Sequence, residues 1–174
     1  MDTFLEYMVK QQTTGKSIAL RILIVIGAIL LSLILLVASM LLRTFSFFFW
    51  IAIAGVIYGA WLLFRTFRVE FEYIVTNGEM DVDKILGQQK RKRLVTVNFR
   101  EMEIMAPMGG DHKIEFENTS IPKTIDASAM KDEKGAYFIV ATCKNVGRVR
   151  LIFTPDERII KSAQMVAPRK VFTM

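Results

Sequence analysis

From residue 22 to residue 64 the chain is apolar almost without a break, and Arg43 at the midpoint carries the only formal charge. As one helix at about 1.5 Å per residue this stretch would run about 65 Å, roughly twice a bilayer's hydrocarbon thickness. Two passes fit instead. The pattern predicts a transmembrane helical hairpin over residues 18–66, with helices at about 22–42 and 46–64 and Arg43, Thr44 and Ser46 at its tip. The apolar run continues past Val37-Ala38-Ser39, so a cleaved signal is not expected there.

After residue 68 the periodicity changes to two. Val69-Glu70-Phe71-Glu72-Tyr73 alternates apolar and acidic residues, as a half-buried strand does. Asn77-Gly78 marks a two-residue hairpin turn. Beyond it Met80 and Val82 share one face, with Glu79, Asp81 and Asp83 on the other. A basic run leads to Val95, Val97 and Phe99 on one face, and Met102, Ile104 and Ala106 alternate likewise. Residues 107–135 are harder to read: Ile114 and Phe116 suggest a short strand, residues 121–125 another, and 131–135 a turn. Residues 136–142 and 148–153 form a second hairpin around Asn145-Val146-Gly147. Thr154-Pro155-Asp156-Glu157 starts a helix over residues 155–167, with Thr154 capping, Pro155 first and Glu157 closing a capping box; Ile159, Ile160, Ala163 and Val166 form its stripe. The expected fold class is an α+β membrane protein. Its hairpin precedes a small β-barrel or sandwich of six or seven strands over residues 69–174, capped by the C-terminal helix.

Residues 1–17 read as an N-terminal lead. Asp2 and Thr3 can cap a turn, with Glu6 three residues after Thr3, and Phe4, Leu5 and Met8 form a short apolar face. Two readings stay open: an interfacial helix lying on the membrane, and a frayed terminus. Within the hairpin, Gly55 and Gly59 have the spacing that lets helix backbones approach closely. Residues at equal depth then have numbers adding to about 86, so Gly27 lies level with Gly59 and Ser32 with Ala54. Packing inside the hairpin through Gly27, Ser32, Gly55 and Gly59 is expected ahead of a homodimer seam.

Charge sharpens the picture. The net charge of +6 sits mostly around the hairpin, which argues against nucleic acid as a partner. Lys10, Lys16, Arg21, Arg65 and Arg68 flank the base of the hairpin, while the tip has Arg43. That bias places both termini in the cytoplasm and the protein in the plasma membrane as a two-pass chain. The single cysteine, Cys143, excludes an internal disulfide and a paired-cysteine metal site. Cys143 ends an apolar strand and reads as buried filler. His112, in Gly109-Gly110-Asp111-His112-Lys113, reads as a solvated turn. One histidine completes no triad and no metal set, and the glycines lack phosphate-loop spacing. Asp81 with Asp83, and Glu101 with Glu103, sit at strand spacing and read as solvated surface. No catalytic residue, cofactor, metal or small-molecule substrate is expected. The one notable charge cluster is Lys90, Arg91, Lys92 and Arg93. Its cations suit anionic lipid head groups, although Glu79, Asp81 and Asp83 are placed to neutralise them. The alternative is a solvated strand edge whose charges deter pairing with other chains.

The order of elements, and the stretch from Tyr73-Ile74-Val75-Thr76 through Asn77-Gly78 to Ile85, resemble the bacterial pleckstrin-homology-like domains. The whole chain is similar to a family of two-helix membrane proteins from Gram-positive anaerobes. The matching pieces are the Met1-Asp2-Thr3-Phe4 start, the hairpin, the basic run, Phe153-Thr154-Pro155-Asp156-Glu157 and Ala167-Pro168-Arg169-Lys170-Val171. Neither resemblance brings an activity with it. The expectation is a non-enzymatic, membrane-anchored cytoplasmic interaction module that binds a protein partner or itself. The alternative is an anionic-lipid-binding or membrane-organising protein that uses the basic run.

Overall fold

The computed structural model describes residues 4–13, 15–42, 44, 46–118, 120–129, 135–144 and 146–173. The chain divides into two compact units, Thr13–Arg68 and a second made of Met1–Gln12 together with Val69–Met174. Arg43, the proposed caps Asp2 and Thr3, and most of the turn at 131–135 lie outside the described residues.

The first unit is a pair of helices, α1 (Gly15–Leu41) and α2 (Ser46–Thr66), both long and apolar enough to cross a membrane. Helix α1 starts seven residues before the expected span at 22, because nothing between Gly15 and Ile22 breaks a helix. At the open end of the pair, Arg21 of α1 donates from Nη2 to the Phe67 carbonyl at 3.2 Å and lies 5.7 Å over the Phe67 ring. The glycines do not behave as expected. A Cβ added at Gly27, Gly55 or Gly59 would meet nothing within 4 Å, so none sits at a close approach between α1 and α2. Ser32 is half-buried, and the buried residue of α1 is Ser39, whose hydroxyl donates to the Leu36 carbonyl at 2.7 Å.

The second unit corrects the reading of the N-terminus. Residues 4–10 are neither an interfacial helix nor frayed; they form strand β1 (Phe4–Lys10), antiparallel to β2 (Val69–Thr76). The short apolar face was a strand's alternation: Leu5, Tyr7 and Val9 turn inward, with Phe4, Glu6, Met8 and Lys10 exposed between them. Three residues are too few to separate the two periods when Tyr7 and Val9 fall beside them. The hairpin is therefore an insertion between two paired strands. The ladder runs to Lys10 opposite Glu70, and the Gln11 amide donates to the Val69 carbonyl at 3.0 Å, so the chain leaves and re-enters this unit side by side.

Strand β2 continues through Asn77-Gly78, both at positive φ, into β3 (Glu79–Leu86), and β3 pairs with β4 (Lys90–Asn98). The pairing slips between Val82 and Asp83, so Leu94 is an extra residue on β4. The first sheet is β1-β2-β3-β4. The second is β5 (Ile104–Pro107), β7 (Tyr137–Cys143), β8 (Gly147–Phe153) and β6 (Lys123–Asp126) in that spatial order, β6 running parallel to β8. The eight strands form two open sheets, and no barrel closes among the described residues. The last residues cover the outer side of β5, with hydrogen bonds of 2.8 Å from the Met105 amide to Lys170 and from the Phe172 amide to Met105.

The core lies between the sheets. Phe71, Tyr73, Val75, Met80, Val82, Val95, Val97 and Phe99 meet Met105, Ile139, Leu151 and Phe153, and Ile159 and Ala163 of α4 (Glu157–Val166) close it. Asp156, not Thr154, caps α4: its carboxylate accepts from the Ile159 amide at 2.9 Å. Thr154 is occupied elsewhere, its hydroxyl accepting from the Ala129 amide at 3.2 Å. The expected strand at Ile114 and Phe116 is a short helix, α3 (Lys113–Glu117). Phe116 packs against Phe138 with ring centroids 5.3 Å apart, in a second apolar cluster with Ala106, Ile121 and Val140. This cluster explains β5. Ile104 and Ala106 face it, while Met105 faces the main core.

Candidate functional site

Residues 90–93 open strand β4, each opposite a residue of β3: Lys90 to Leu86, Arg91 to Ile85, Lys92 to Lys84 and Arg93 to Asp83. Strand alternation puts Arg91 and Arg93 on one face and Lys90 and Lys92 on the other. The two faces have different partners.

The arginines lie over acids of β2 and β3, of which Glu72 and Asp83 are buried. Arg91 Nη2 is 3.0 Å from Oε1 and 2.9 Å from Oε2 of Glu72, whose side chain is 1% exposed. Arg93 Nε donates to Asp83 at 2.9 Å, and its Nη1 lies 2.7 Å from Asp81. Thr96 donates its hydroxyl to the other oxygen of Asp81 at 2.6 Å. Glu70 and Glu72 were read as the polar face of a half-buried strand. Instead both are buried, because β1 adds to the free side of β2 and makes it an interior strand. Burial pushes the Glu72 carboxyl above its usual range, Arg91 opposes this, and the nearby Glu6 and Asp83 add to the rise. A carboxyl raised in the folded state makes the fold bind protons more tightly than the unfolded chain, so stability falls as pH climbs from about 4.5 through the folded value. Replacing Arg91 with Gln removes the opposing charge and raises the carboxyl further. The Arg91→Gln variant will lose more stability than the parent between pH 4.5 and neutrality, and the two will converge at lower pH. Thermal unfolding across that range is the check, and parallel profiles would contradict it.

The lysine face has no such neutralisation. Lys84 and Lys92 are a cross-strand pair, and Lys90 is two residues along β4 on the same face; none forms an ion pair among the described residues. Lys84 was not singled out from the sequence. Placing the β3–β4 turn at 87–89 and counting back would have set it across from Lys92.

A second feature went unread in the sequence. Strand β4 ends its sheet, and its outer side forms no ladder with another described strand. A groove of about 430 Å³ runs there, lined by Leu94, Thr96 and Asn98 on one side and Thr142, Cys143 and Val146 on the other. Among the described residues no further strand pairs with this edge, which the sequence can reveal only through pairing partners that lie far away. Cys143 is buried and its thiol is pushed up by burial and by Glu101, so it is a weak nucleophile. His112 is more enclosed than a solvated turn: its ring centroid lies 4.0 Å from that of Phe172, and Nδ1 is 3.3 Å from Glu115.

Two four-stranded sheets enclosing one core, with a C-terminal helix packed against it, define this unit as a pleckstrin-homology-like domain, with a two-helix insertion after its first strand. The family described as Bacterial PH-like domain (DUF6106) matches residues 1–173, and the chain belongs to it. That family points to an interaction module rather than a catalyst. No curated protein and no solved structure matches the chain.

Proposed function

We propose that this protein is a non-enzymatic interaction module held at the cytoplasmic face of the plasma membrane by its helical hairpin. The observation that carries the reading is the pairing of β1 with β2. The strands on either side of the hairpin belong to one folded unit, so both flanks stay on one side of any bilayer that α1 and α2 enter. The five cations at the hairpin base support the cytoplasm as that side. The groove along β4 is where an extended segment of a protein partner, or of a second copy, adds to the sheet edge.

The test is purification of the tagged full-length protein from native membranes in mild detergent, alongside a variant with Thr142→Arg and Lys144→Glu at the groove. A stoichiometric protein, or an untagged second copy, that accompanies the parent and is lost from the variant supports the reading. A parent recovered alone as a monomer, or a companion equally retained by the variant, contradicts it.

A further inference from the structure

Strand β4 changes character along its length. Lys90 to Arg93 are all charged, whereas Leu94 to Asn98 carry no charge. Both limits of the uncharged part are structural. The slip in pairing between Val82 and Asp83 leaves Leu94 as an extra residue at one end. At the other, the amides of Glu101 and Met102 both donate to the Asn98 carbonyl, at 3.1 and 3.0 Å, and turn the chain away. Between these limits lies a short edge with Val95, Thr96 and Val97 at its centre, which no other described strand covers. Sheet edges are commonly guarded by charge. Here the guard stops at Arg93.

We propose that the occupant of the β4 groove is a second copy of this chain, whose residues 94–98 pair antiparallel with the same residues of the first about a two-fold axis at Thr96. The inference deepens the reading of the groove as a site of strand addition and rests on it. Two observations select this occupant and this register. The first is alternation. Val95 and Val97 are buried in the core, while Leu94, Thr96 and Asn98 are half-buried. An axis at Thr96 sets Val95 opposite Val97, Thr96 opposite itself and Leu94 opposite Asn98, so every pair shares a face of the continued sheet. No other axis pairs all of residues 94–98. The second is charge. Glu79, opposite Asn98 on β3, and Glu101 both line the groove. Neither forms an ion pair among the described residues, and neither do Lys90 and Lys92 at the far end of β4. The antiparallel register brings Lys92 of each copy level with Arg100 of the other, and Lys90 level with Met102, on either side of Glu101. Glu101 lines the groove and Arg100 does not. Unpaired lysines therefore meet an unpaired carboxylate at both ends of the contact, whereas a parallel pairing sets each lysine beside its own copy.

The experiment uses the full chain, in native membranes and in mild detergent. Light scattering of the solubilised parent will give the mass of a dimer, and a monomer overturns the proposal. In a Cys143→Ala background, oxidation of Thr96→Cys in the membrane will close an intermolecular disulfide, because residues facing each other across the axis have Cα atoms about 5 Å apart. Lys90→Cys will not, since its two copies lie on opposite sides of the axis, about 40 Å apart along the pair. A dimer that crosslinks at neither position, or equally at both, overturns the proposal. Glu101→Lys will weaken the dimer about tenfold, and adding Lys92→Glu will restore it. A dimer indifferent to Glu101→Lys, or left weak by the combined change, overturns it too. A monomeric chain that holds a different protein, lost with Thr142→Arg and Lys144→Glu, overturns the second copy as occupant and leaves the groove reading standing.

Discussion

Joining residue 12 to residue 69 through a short turn will yield a folded, soluble unit, whereas the chain that begins at residue 69 will be severely destabilised. The reason is β1. It pairs along its whole length with β2, buries Val9, packs Leu5 and Tyr7 on the core, and sets the Tyr7 and Tyr73 rings 6.2 Å apart. The Gln12 amide extends the tie to the Ala129 carbonyl at 2.9 Å. Loss of Val9 burial alone costs about 2 kcal/mol. With the contacts of Leu5 and Tyr7 the total reaches about 4 kcal/mol, a large fraction of the roughly 5–15 kcal/mol that holds a domain together. The shortened chain also exposes β2 as a long, flat edge, which invites aggregation. In the joined chain the Gln11–Val69 hydrogen bond already brings the two ends together, so a turn of about two to four residues suffices. Denaturant unfolding of both chains is the check. Equal midpoints would show that β1 contributes nothing.

Replacing Tyr73 with Phe will destabilise the β unit by about 2 kcal/mol with little change in packing volume. The Tyr73 hydroxyl is the polar link between the sheets. It donates to the Ala127 carbonyl at 2.5 Å, after β6, and accepts from the Thr154 amide at 3.2 Å, after β8. The ring is fully buried and meets Phe153 edge-on at 5.6 Å. Removing the oxygen strands a buried carbonyl and leaves an amide without its acceptor, which costs more than the hydrogen bonds contributed. Because burial holds this phenol well above its usual range, its ionisation has no part in the effect near neutrality. The check is chemical unfolding of the joined chain with and without the substitution. A difference under about 0.5 kcal/mol would mean that water satisfies both groups in the folded state.

The parts of the fold legible from the sequence are those with strong local signals. Asn77-Gly78 needed two positive φ angles and adopts them, at 50° and 87°. The alternation of Met80 and Val82, and of Val95, Val97 and Phe99, put those residues in the core. What stayed hidden depended on partners distant in sequence. Phe4–Lys10 carries a strand's alternation, but its partner β2 lies beyond the whole hairpin. Phe116 looked like a strand residue because the partners that half-bury it include Phe138, twenty-two positions on. The cap of α4 moved from Thr154 to Asp156 because Ala129 had already engaged the threonine.

The candidate site divides in the same way. The basic run was visible as a charge cluster, and the acids able to neutralise it were recognisable on the preceding strand. Its division into a paired arginine face and an unpaired lysine face required the register, since strand alternation separates neighbours that composition lumps together. Lys84 and the groove beside β4 emerge only once β3, β4 and β7 are assembled. The glycine spacing in α2 was read as a close approach within the hairpin, but Gly55 and Gly59 have open space where their Cβ atoms would be.

The central claim is that the hairpin interrupts a pair of strands, so that the N-terminus completes the PH-like unit. Oxidative crosslinking of the full-length protein in its native membrane tests this most directly. The register sets Glu6 opposite Ile74, so Glu6→Cys with Ile74→Cys should close an intramolecular disulfide. Phe4→Cys with Glu70→Cys, which the same register holds six residues out of step, should not. A disulfide in the first variant alone is the predicted result. Crosslinking in neither, or equally in both, would mean that the N-terminal residues are not paired with β2 as described.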